Sequence, residues 1–217
     1  MHQISVLHWL DSTSKGLVST VTDDYIHLRQ GEMDGACGHY SMMMALIMLG
    51  LYRREDASDL LDFGHDSDTP QGKFGQRIKK RGFFEGTATK DIQKIIGDTF
   101  KSDLKVTSIE GTGVEIRNFV ELNIKKDNPV MLAFQYKGGA HWVVVVGLDF
   151  CGEDDNKELY RFLVLDPGGS SPKFSLWNGV VSVKSEPGPY PYKWWTDNDN
   201  YNVKFIYALA FEKKEPA

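Results

Sequence analysis

The sequence predicts an α+β protein, with a helical N-terminal part followed by a β-rich C-terminal part. Residues 37–126 contain apolar positions at helical spacing. After residue 128 the pattern changes to short β-branched runs separated by clusters of Gly, Pro and Asp. Runs joined by short polar turns favour antiparallel pairing, so we expect the helices to pack on an antiparallel sheet. A chain of 217 residues is long enough to bury one core, and we expect a single domain over residues 1–217.

The N-terminal part begins with a stretch that we expect to be irregular over residues 1–30, apart from a short strand near residues 25–28. Glycines then mark a loop, and an apolar run follows that predicts a buried helix ending before Gly50. Residues 53–88 are polar and show only a weak helical pattern. The predicted helices span residues 37–49, 57–61, 90–100 and 114–126.

The C-terminal part is predicted to be mostly β. The run HWVVVVGL is rich in β-branched residues and is typical of a central strand. A polar loop over residues 149–157 separates it from the next run, which ends in Asp-Pro-Gly-Gly. The predicted strands span residues 104–109, 129–136, 141–148 and 160–166, with weaker ones at 173–176, 180–183 and 203–211.

Composition and charge exclude several function classes. Hydrophobic residues make up 41% and charged residues 25%, which is typical of a globular protein rather than a disordered chain. The net charge of −5 argues against a nucleic-acid partner, which requires a basic face. No apolar run approaches the roughly 20 residues of a membrane span, and the N-terminus is a poor secretory signal, so we expect cytoplasmic synthesis and no membrane partner. No zinc spacing and no phosphate-binding glycine loop is present in the sequence, so we expect no metal or cofactor.

The two cysteines, Cys37 and Cys151, are too few for a disulfide scaffold. They form either one bridge or two free thiols, and free thiols fit a reducing compartment. Cys37 stands at the start of the apolar helix, where unpaired backbone N–H groups and the helix dipole favour the thiolate, which is the reactive form. A small buried cysteine packed among Met42 to Met44 is an equally good interpretation of its position alone.

A thiolate nucleophile needs a histidine partner, and His141 is the best placed of the six histidines. It opens the valine-rich strand just after a Gly-Gly turn, so a rigid element holds it beside a loop. Asp166 ends the next predicted strand. If these two strands form a hairpin, the start of one lies beside the end of the other, which makes Asp166 a neighbour of His141. Taken alone, His141 fits a structural histidine and Asp166 fits a turn residue before proline.

Three further residues lie near Cys37 in the sequence: Gln30, Asp34 and His39. The Gln30 side chain, together with the Cys37 backbone N–H, could hold the oxyanion that develops in acyl transfer, although a surface glutamine is the ordinary interpretation. Asp34 is a weaker neighbour, because an anion would repel an oxyanion. His39 is a poor base for Cys37, since helical positions two apart point in different directions.

The ordered set of Gln30, the Gly35–Gly38 segment around Cys37, His141 and Asp166-Pro167 resembles papain-like cysteine peptidases. The resemblance is closest to the branch of bacteriocin-processing, double-glycine-leader peptidases and covers about residues 30–169. It implies a papain-like fold in which Cys37 is the nucleophile, His141 the base, Asp166 the orienting acceptor and Gln30 the oxyanion donor. It also implies cleavage after small residues such as Gly-Gly. The gap from Gln30 to Cys37 and the hairpin are longer than in that branch, and residues 170–217 have no counterpart in it.

The sequence therefore predicts a cysteine endopeptidase that acts on a protein or peptide. No transporter segment follows, so the resemblance extends to papain-like effectors and toxins that bacteria deliver into other cells by specialised secretion, with a cognate immunity protein as inhibitor. The same triad would also serve a deamidase, a transglutaminase or an amidase. A binding module that has lost activity is a third alternative. The aromatic segment around Trp194 and Trp195 fits either core packing or a binding groove, with core packing favoured.

Overall fold

The computed structural model describes residues 1–14, 16–31, 35–58, 68–81, 89–153 and 156–215. Within these residues the chain forms five helices and ten strands. The helices are α1 (Cys37–Met48), α2 (Arg54–Ser58), α3 (Pro70–Arg81), α4 (Thr89–Thr99) and α5 (Gly113–Ile124). The strands are β1 (His2–Val6), β2 (Leu10–Thr13), β3 (Gly16–Ser19), β4 (Leu104–Glu110), β5 (Val130–Tyr136), β6 (Gly139–Cys151), β7 (Glu158–Leu165), β8 (Gly179–Ser182), β9 (Tyr192–Trp195) and β10 (Asn200–Lys213).

The main sheet is antiparallel and closes into a six-stranded barrel. Its strands follow the order β6-β5-β10-β9-β8-β7, and β7 pairs back onto β6. β1 extends the sheet beside β6 and β4 extends it beside β10, whereas β2 and β3 form a separate hairpin. The predicted combination of helices and an antiparallel sheet is thus present, but the closure was not predicted. β8 and β9 complete the barrel, and both come from the C-terminal segment that has no counterpart in the resemblance.

Helix α1 is the central buried element, as its apolar sequence predicts. Every residue from Met42 to Met48 is at most 3% exposed. From Met42 onward its residues are apolar on all sides, because the helix contacts β6, β5, β3 and α4. Beyond the last helical turn Gly50 has a φ of 71°, a left-handed conformation that favours glycine and that confirms the predicted stop.

Helices α4 and α5 pack on the sheet, whereas α3 packs on α4 and α2 on α3. α5 contacts β10, β6, β5 and β4, and α4 contacts β4, α3 and α1. Thr112 caps α5 by accepting a hydrogen bond from the Glu115 amide, while the Glu115 carboxylate accepts one from the Thr112 amide. The predicted helices at residues 90–100 and 114–126 and the predicted strands at 104–109 and 129–136 are therefore confirmed, with ends shifted by a few residues at most.

The N-terminal stretch and the segment before α4 were predicted wrongly. Residues 1–30 contain three strands, and the expected strand near Tyr25 is only an isolated bridge to Val18. β1 is an edge strand with mostly exposed residues, so it lacks the apolar alternation that reveals a half-buried strand. α3 was missed because its sequence is mostly polar and contains two glycines. The predicted helix at 57–61 begins earlier, at Arg54, and its later residues lie outside the described part of the chain.

The C-terminal part needs three corrections. β6 continues through Cys151, so Asp149 is not in a loop: it is 1% exposed and accepts a hydrogen bond from the Arg161 side chain. Residues 173–176 are bends rather than a strand. β9 was missed because proline, aspartate and asparagine surround its aromatic residues. Among the described residues no helix combines the length and the apolar character needed to cross a bilayer.

Candidate active site

Cys37 is the first residue of α1, so its position follows directly from where that helix begins. The N-cap residue is Ala36, which has no side-chain hydrogen-bonding group to cap the first turn. The Cys37 residue is 9% exposed, and neither cysteine forms a disulfide. The structure thus presents a recessed free thiol at the positive end of a buried helix.

His141 is held beside this helix by β6. The strand pairs with β5 so that His141 lies opposite Phe134. One turn after Cys37, on the same helix face, the Ser41 hydroxyl donates a hydrogen bond of 3.1 Å to the backbone oxygen of Trp142. Since Trp142 follows His141, this bond ties the helix that carries the thiol to the strand that carries the imidazole.

Asp166 follows the last residue of β7, and the predicted hairpin brings it to His141. β6 and β7 pair antiparallel, with Val144 opposite Leu165, which confirms the predicted hairpin. His141 Nε2 donates a hydrogen bond of 2.8 Å to Asp166 Oδ1, and the Gly168 amide donates a second bond of 2.7 Å to the same oxygen. A side chain at Gly168 would crowd this pair, because its Cβ would lie 3.2 Å from Asp166 Oδ1. The carboxylate is 1% exposed.

The hydrogen bonds define the state of the imidazole. A carboxylate oxygen only accepts, so Nε2 carries a proton. Cys37 also acts on the imidazole and raises the pKa of His141, and Nδ1 is the ring nitrogen that Asp166 leaves available to the thiol. The ring therefore stands between the thiol and the carboxylate, and a proton that leaves the sulfur can be held on Nδ1.

Burial and charge act in opposite directions on the pKa of His141. Burial by itself lowers it, but the hydrogen bond to Asp166 and the contact with Cys37 outweigh burial and raise the pKa from 6.5 to about 9. The second carboxylate oxygen, Asp166 Oδ2, is buried and finds no hydrogen-bond partner among the described residues. The carboxylate charge is thus left for the imidazolium to balance, and the site favours a protonated His141 at neutral pH.

Trp194 covers the imidazole from the barrel side. Its ring stacks on that of His141 with centroids 5.0 Å apart and an angle of 24° between the planes. It comes from β9 and is 7% exposed. Tyr201, which is 37% exposed, continues the aromatic surface at 5.1 Å from Trp194. The indole keeps water away from the pair formed by His141 and Asp166, which strengthens the interaction between them.

Gln30 lies next to the turn that carries Asp166. Its backbone amide donates a hydrogen bond of 2.8 Å to the Pro167 oxygen, and its side chain is partly buried. The loop before Cys37 thus meets the turn after β7, and the oxyanion role of the Gln30 side chain stays a prediction. Asp34, the weaker candidate, lies outside the described residues.

Two further residues that the sequence singled out are His39 and Cys151. His39 is 1% exposed inside the helix layer. Cys151 lines another cavity, of about 440 Å³, together with Arg117 and Tyr192. Within the described ranges no group of three histidine, cysteine, aspartate or glutamate side chains could hold a metal ion.

Sequence reasoning missed Trp194, Asn178 and His27 as parts of the site. Asn178 and His27 both hydrogen-bond the backbone of Asp166. Trp194 belongs to an aromatic segment of the sequence, but no sequence pattern connects it to His141. These contacts join residues far apart in the chain, so no local signal identifies them.

The comparisons with known proteins give matches among solved structures but none among family models or curated sequences. No protein-family model and no curated protein sequence matches this chain. Among solved structures, a match is the crystal structure of UfSP from C. elegans, with 15% sequence identity and a TM-score of 0.48. The alignment covers 99% of this chain and 34% of that chain, so this chain spans about a third of the protein it matches.

Proposed function

We propose that this protein is a papain-like cysteine endopeptidase. One observation carries the proposal: the His141 imidazole contacts the Cys37 thiol and hydrogen-bonds Asp166 Oδ1 at 2.8 Å. A nucleophile, a base and an orienting acceptor in this order are the minimum that thiol-dependent acyl transfer needs. The resemblance of the segment from Gln30 to Gly169 to papain-like peptidases supports the same function.

The reaction follows from the protonation states at the site. The Cys37 sulfur attacks the peptide carbonyl carbon, and its proton is held on His141 Nδ1. As the tetrahedral intermediate collapses, the C–N bond breaks and Nδ1 gives this proton to the leaving amine. The acyl group remains on sulfur as a thioester. His141 then removes a proton from water, the resulting hydroxide attacks the thioester, and the proton returns to sulfur as the acid is released.

The oxyanion requires two donors close to the sulfur. The backbone N–H of Cys37 belongs to the first helical turn, where backbone N–H groups have no partner within the helix. We propose the side-chain amide of Gln30 as the second donor. The tie between the Gln30 amide and Pro167 supports this role, because it anchors the residue beside the catalytic turn.

We propose that the enzyme prefers small residues, such as Gly-Gly, before the scissile bond. Cys37 is only 9% exposed, and the His141 side chain is 12% exposed. A recessed sulfur can be reached only if the substrate backbone approaches closely, and glycine permits the closest approach. Tyr201, which is 37% exposed and adjoins the buried Trp194, supplies an aromatic surface for the rest of the peptide.

A test uses a library of peptides incubated with the wild-type protein, with Cys37→Ala and with Cys151→Ala, and measured by mass spectrometry. We expect cleavage by the wild-type protein and by Cys151→Ala, enriched after Gly-Gly, and none by Cys37→Ala. Glutamine-containing peptides that gain about one dalton without cleavage would identify a deamidase instead. Cleavage that persists in folded Cys37→Ala would refute the assignment.

We further propose that the protein acts as a bacterial effector or toxin and that a cognate inhibitor protein covers Cys37. The proposal is supported by the resemblance to papain-like effectors. Expression of the wild-type protein in the bacterial cytoplasm should slow growth, and Cys37→Ala should not. Normal growth with active wild-type enzyme would contradict the toxin role and leave the peptidase proposal standing.

A further inference from the structure

The Asn178 side chain, from the segment before β8, hydrogen-bonds the turn that carries Asp166. Asn178 Oδ1 accepts a hydrogen bond of 2.7 Å from the Asp166 amide. Its Nδ2 donates to the backbone oxygens of Asp166 and Ser170, at 2.8 and 2.9 Å. Because a backbone amide only donates and a carbonyl only accepts, these three bonds leave one orientation for the carboxamide. Asn178 therefore holds both backbone polar groups of Asp166.

His27 also hydrogen-bonds this turn. It is 4% exposed and lies in the segment before α1. Its Nε2 lies 2.8 Å from the Asp166 backbone oxygen and 3.0 Å from Asn178 Nδ2, and because a carbonyl oxygen only accepts, we assign the proton to Nε2. Its Nδ1 is then left to accept the hydroxyl proton of Ser171, at 2.9 Å. Burial lowers the pKa of His27, with Arg54 and Arg29 acting in the same direction and Asp166 acting against them. A neutral ring suits this place, because a second imidazolium would compete with His141 for the carboxylate.

His27 also links the two halves of the site. It precedes Gln30, whose amide binds the Pro167 oxygen, and its own backbone oxygen accepts a hydrogen bond from the Arg54 side chain. The segment that leads into the helix of Cys37 is thus fixed to the turn that carries Asp166 at two points.

We propose that His27 and Asn178 are positioning residues that hold Asp166 in place as the acceptor for His141. The proposal rests on the proposed peptidase function, in which the orientation of His141 matters. Asp166 lies just beyond the end of β7, so the ladder of β7 and β8, which ends at Val164 and Gly179, does not hold its backbone. A displacement of about 1 Å in an acceptor of this kind can cost on the order of 100-fold in rate.

The test compares three variants at the two proposed positioning residues with two serine variants. His27→Phe fills the buried space without a donor, His27→Gln keeps an N–H that can reach the Asp166 oxygen, and Asn178→Leu removes the carboxamide. The exposed Ser171→Ala removes only the proton that fixes the His27 tautomer, and Ser185→Ala is its matched control. Two quantities are measured: kcat and KM for a cleaved peptide, and the pKa of His141 by NMR of its ring in a Cys37→Ala background.

We expect His27→Phe and Asn178→Leu to lower kcat by about 10- to 100-fold with little change in KM. In both, the pKa of His141 should fall toward its ordinary 6.5. His27→Gln should lose less than His27→Phe, and Ser171→Ala should show a smaller shift of the same sign that Ser185→Ala lacks. If His27→Phe and Asn178→Leu do not fold, His27→Gln and Asn178→Ala decide, and an unchanged pKa of His141 with an unchanged kcat in both would overturn the proposal.

Other results would also contradict the positioning role. A folded His27→Phe variant whose His141 pKa equals that of its Cys37→Ala parent would refute it, and so would a loss of activity confined to KM. The NMR measurement needs no substrate, so it separates the two proposals. If the variants at His27 and Asn178 shift the pKa of His141 but the wild-type protein cleaves nothing, the positioning role is supported and the peptidase proposal is refuted. If the wild-type protein cleaves peptides but the variants leave this pKa unchanged, the peptidase proposal is supported and the positioning role is refuted.

Discussion

Asp166→Asn removes the charge beside His141 and keeps nearly the same shape. The Oδ1 atom of the new carboxamide can still accept from His141 Nε2 and from the Gly168 amide, at 2.8 and 2.7 Å in the wild-type protein. The charge, however, is among the interactions that raise the pKa of His141 from 6.5 to about 9. We therefore expect this pKa to fall toward 6.5 in the variant.

The size of the effect follows from the protonated fraction of His141. At about pH 7.5, an imidazole with a pKa of about 9 is almost fully protonated, whereas one with a pKa of 6.5 is about one-tenth protonated. Because the leaving amine takes its proton from His141, kcat/KM should fall by up to about tenfold at this pH. The loss should shrink as the pH is lowered toward about 6, where both forms hold the proton.

The assay is the pH profile of kcat/KM for a cleaved peptide. Asp98→Asn is the matched control, since it removes an exposed carboxylate that pairs with Arg77 on the surface. The alkaline limb should move to lower pH in Asp166→Asn and stay in place in Asp98→Asn. An Asp166→Asn profile with an unmoved alkaline limb would refute the view that this carboxylate sets the protonation of His141.

Three further outcomes follow from the same geometry. Gln30→Ala should lower kcat by about 100-fold with KM nearly unchanged if its amide holds the oxyanion, and a loss confined to KM would contradict that role. Ser41→Ala removes the bond between α1 and the Trp142 oxygen and should lower the free energy of unfolding by about 1 kcal/mol in a denaturant titration; an unchanged midpoint would contradict it. The folded-state pKa of His141 is raised above 6.5, so its stabilisation is complete below pH 6.5 and is lost as the pH rises through about 9. The difference in unfolding free energy between the wild type and His141→Gln should shrink over that window, and a constant difference would count against the raised pKa.

The neighbourhood of His141 and Asp166 was predictable because it depends on local pairing. A valine-rich run and the run that follows it form a hairpin, and antiparallel geometry then brings the start of one beside the end of the other. The position of Cys37 at a helix start was also visible, because glycines precede an apolar run. These are short-range patterns. Whether the three residues perform the proposed chemistry remains a prediction.

The rest of the site depends on contacts that no local pattern encodes. Trp194 reaches His141 because β9 helps to close the barrel, and β9 is a four-residue strand between polar loops. Asn178 and His27 meet at Asp166 although 151 positions separate them in the chain. Neither residue stands out in the sequence as part of a site, because each binds the backbone of Asp166, and a backbone partner cannot be recognised from residue types.

Trapping of the acyl-enzyme is the most direct test that Cys37 is the nucleophile and that His141 activates it. The protein is mixed with a peptide ester that ends in Gly-Gly, quenched in acid and analysed by intact mass and peptide mapping. The account predicts one acyl group, on Cys37, that forms in the wild type and in Cys151→Ala and is strongly reduced in His141→Gln. An acyl group on Cys151, none on Cys37, or equal acylation of Cys37 without His141 would contradict it.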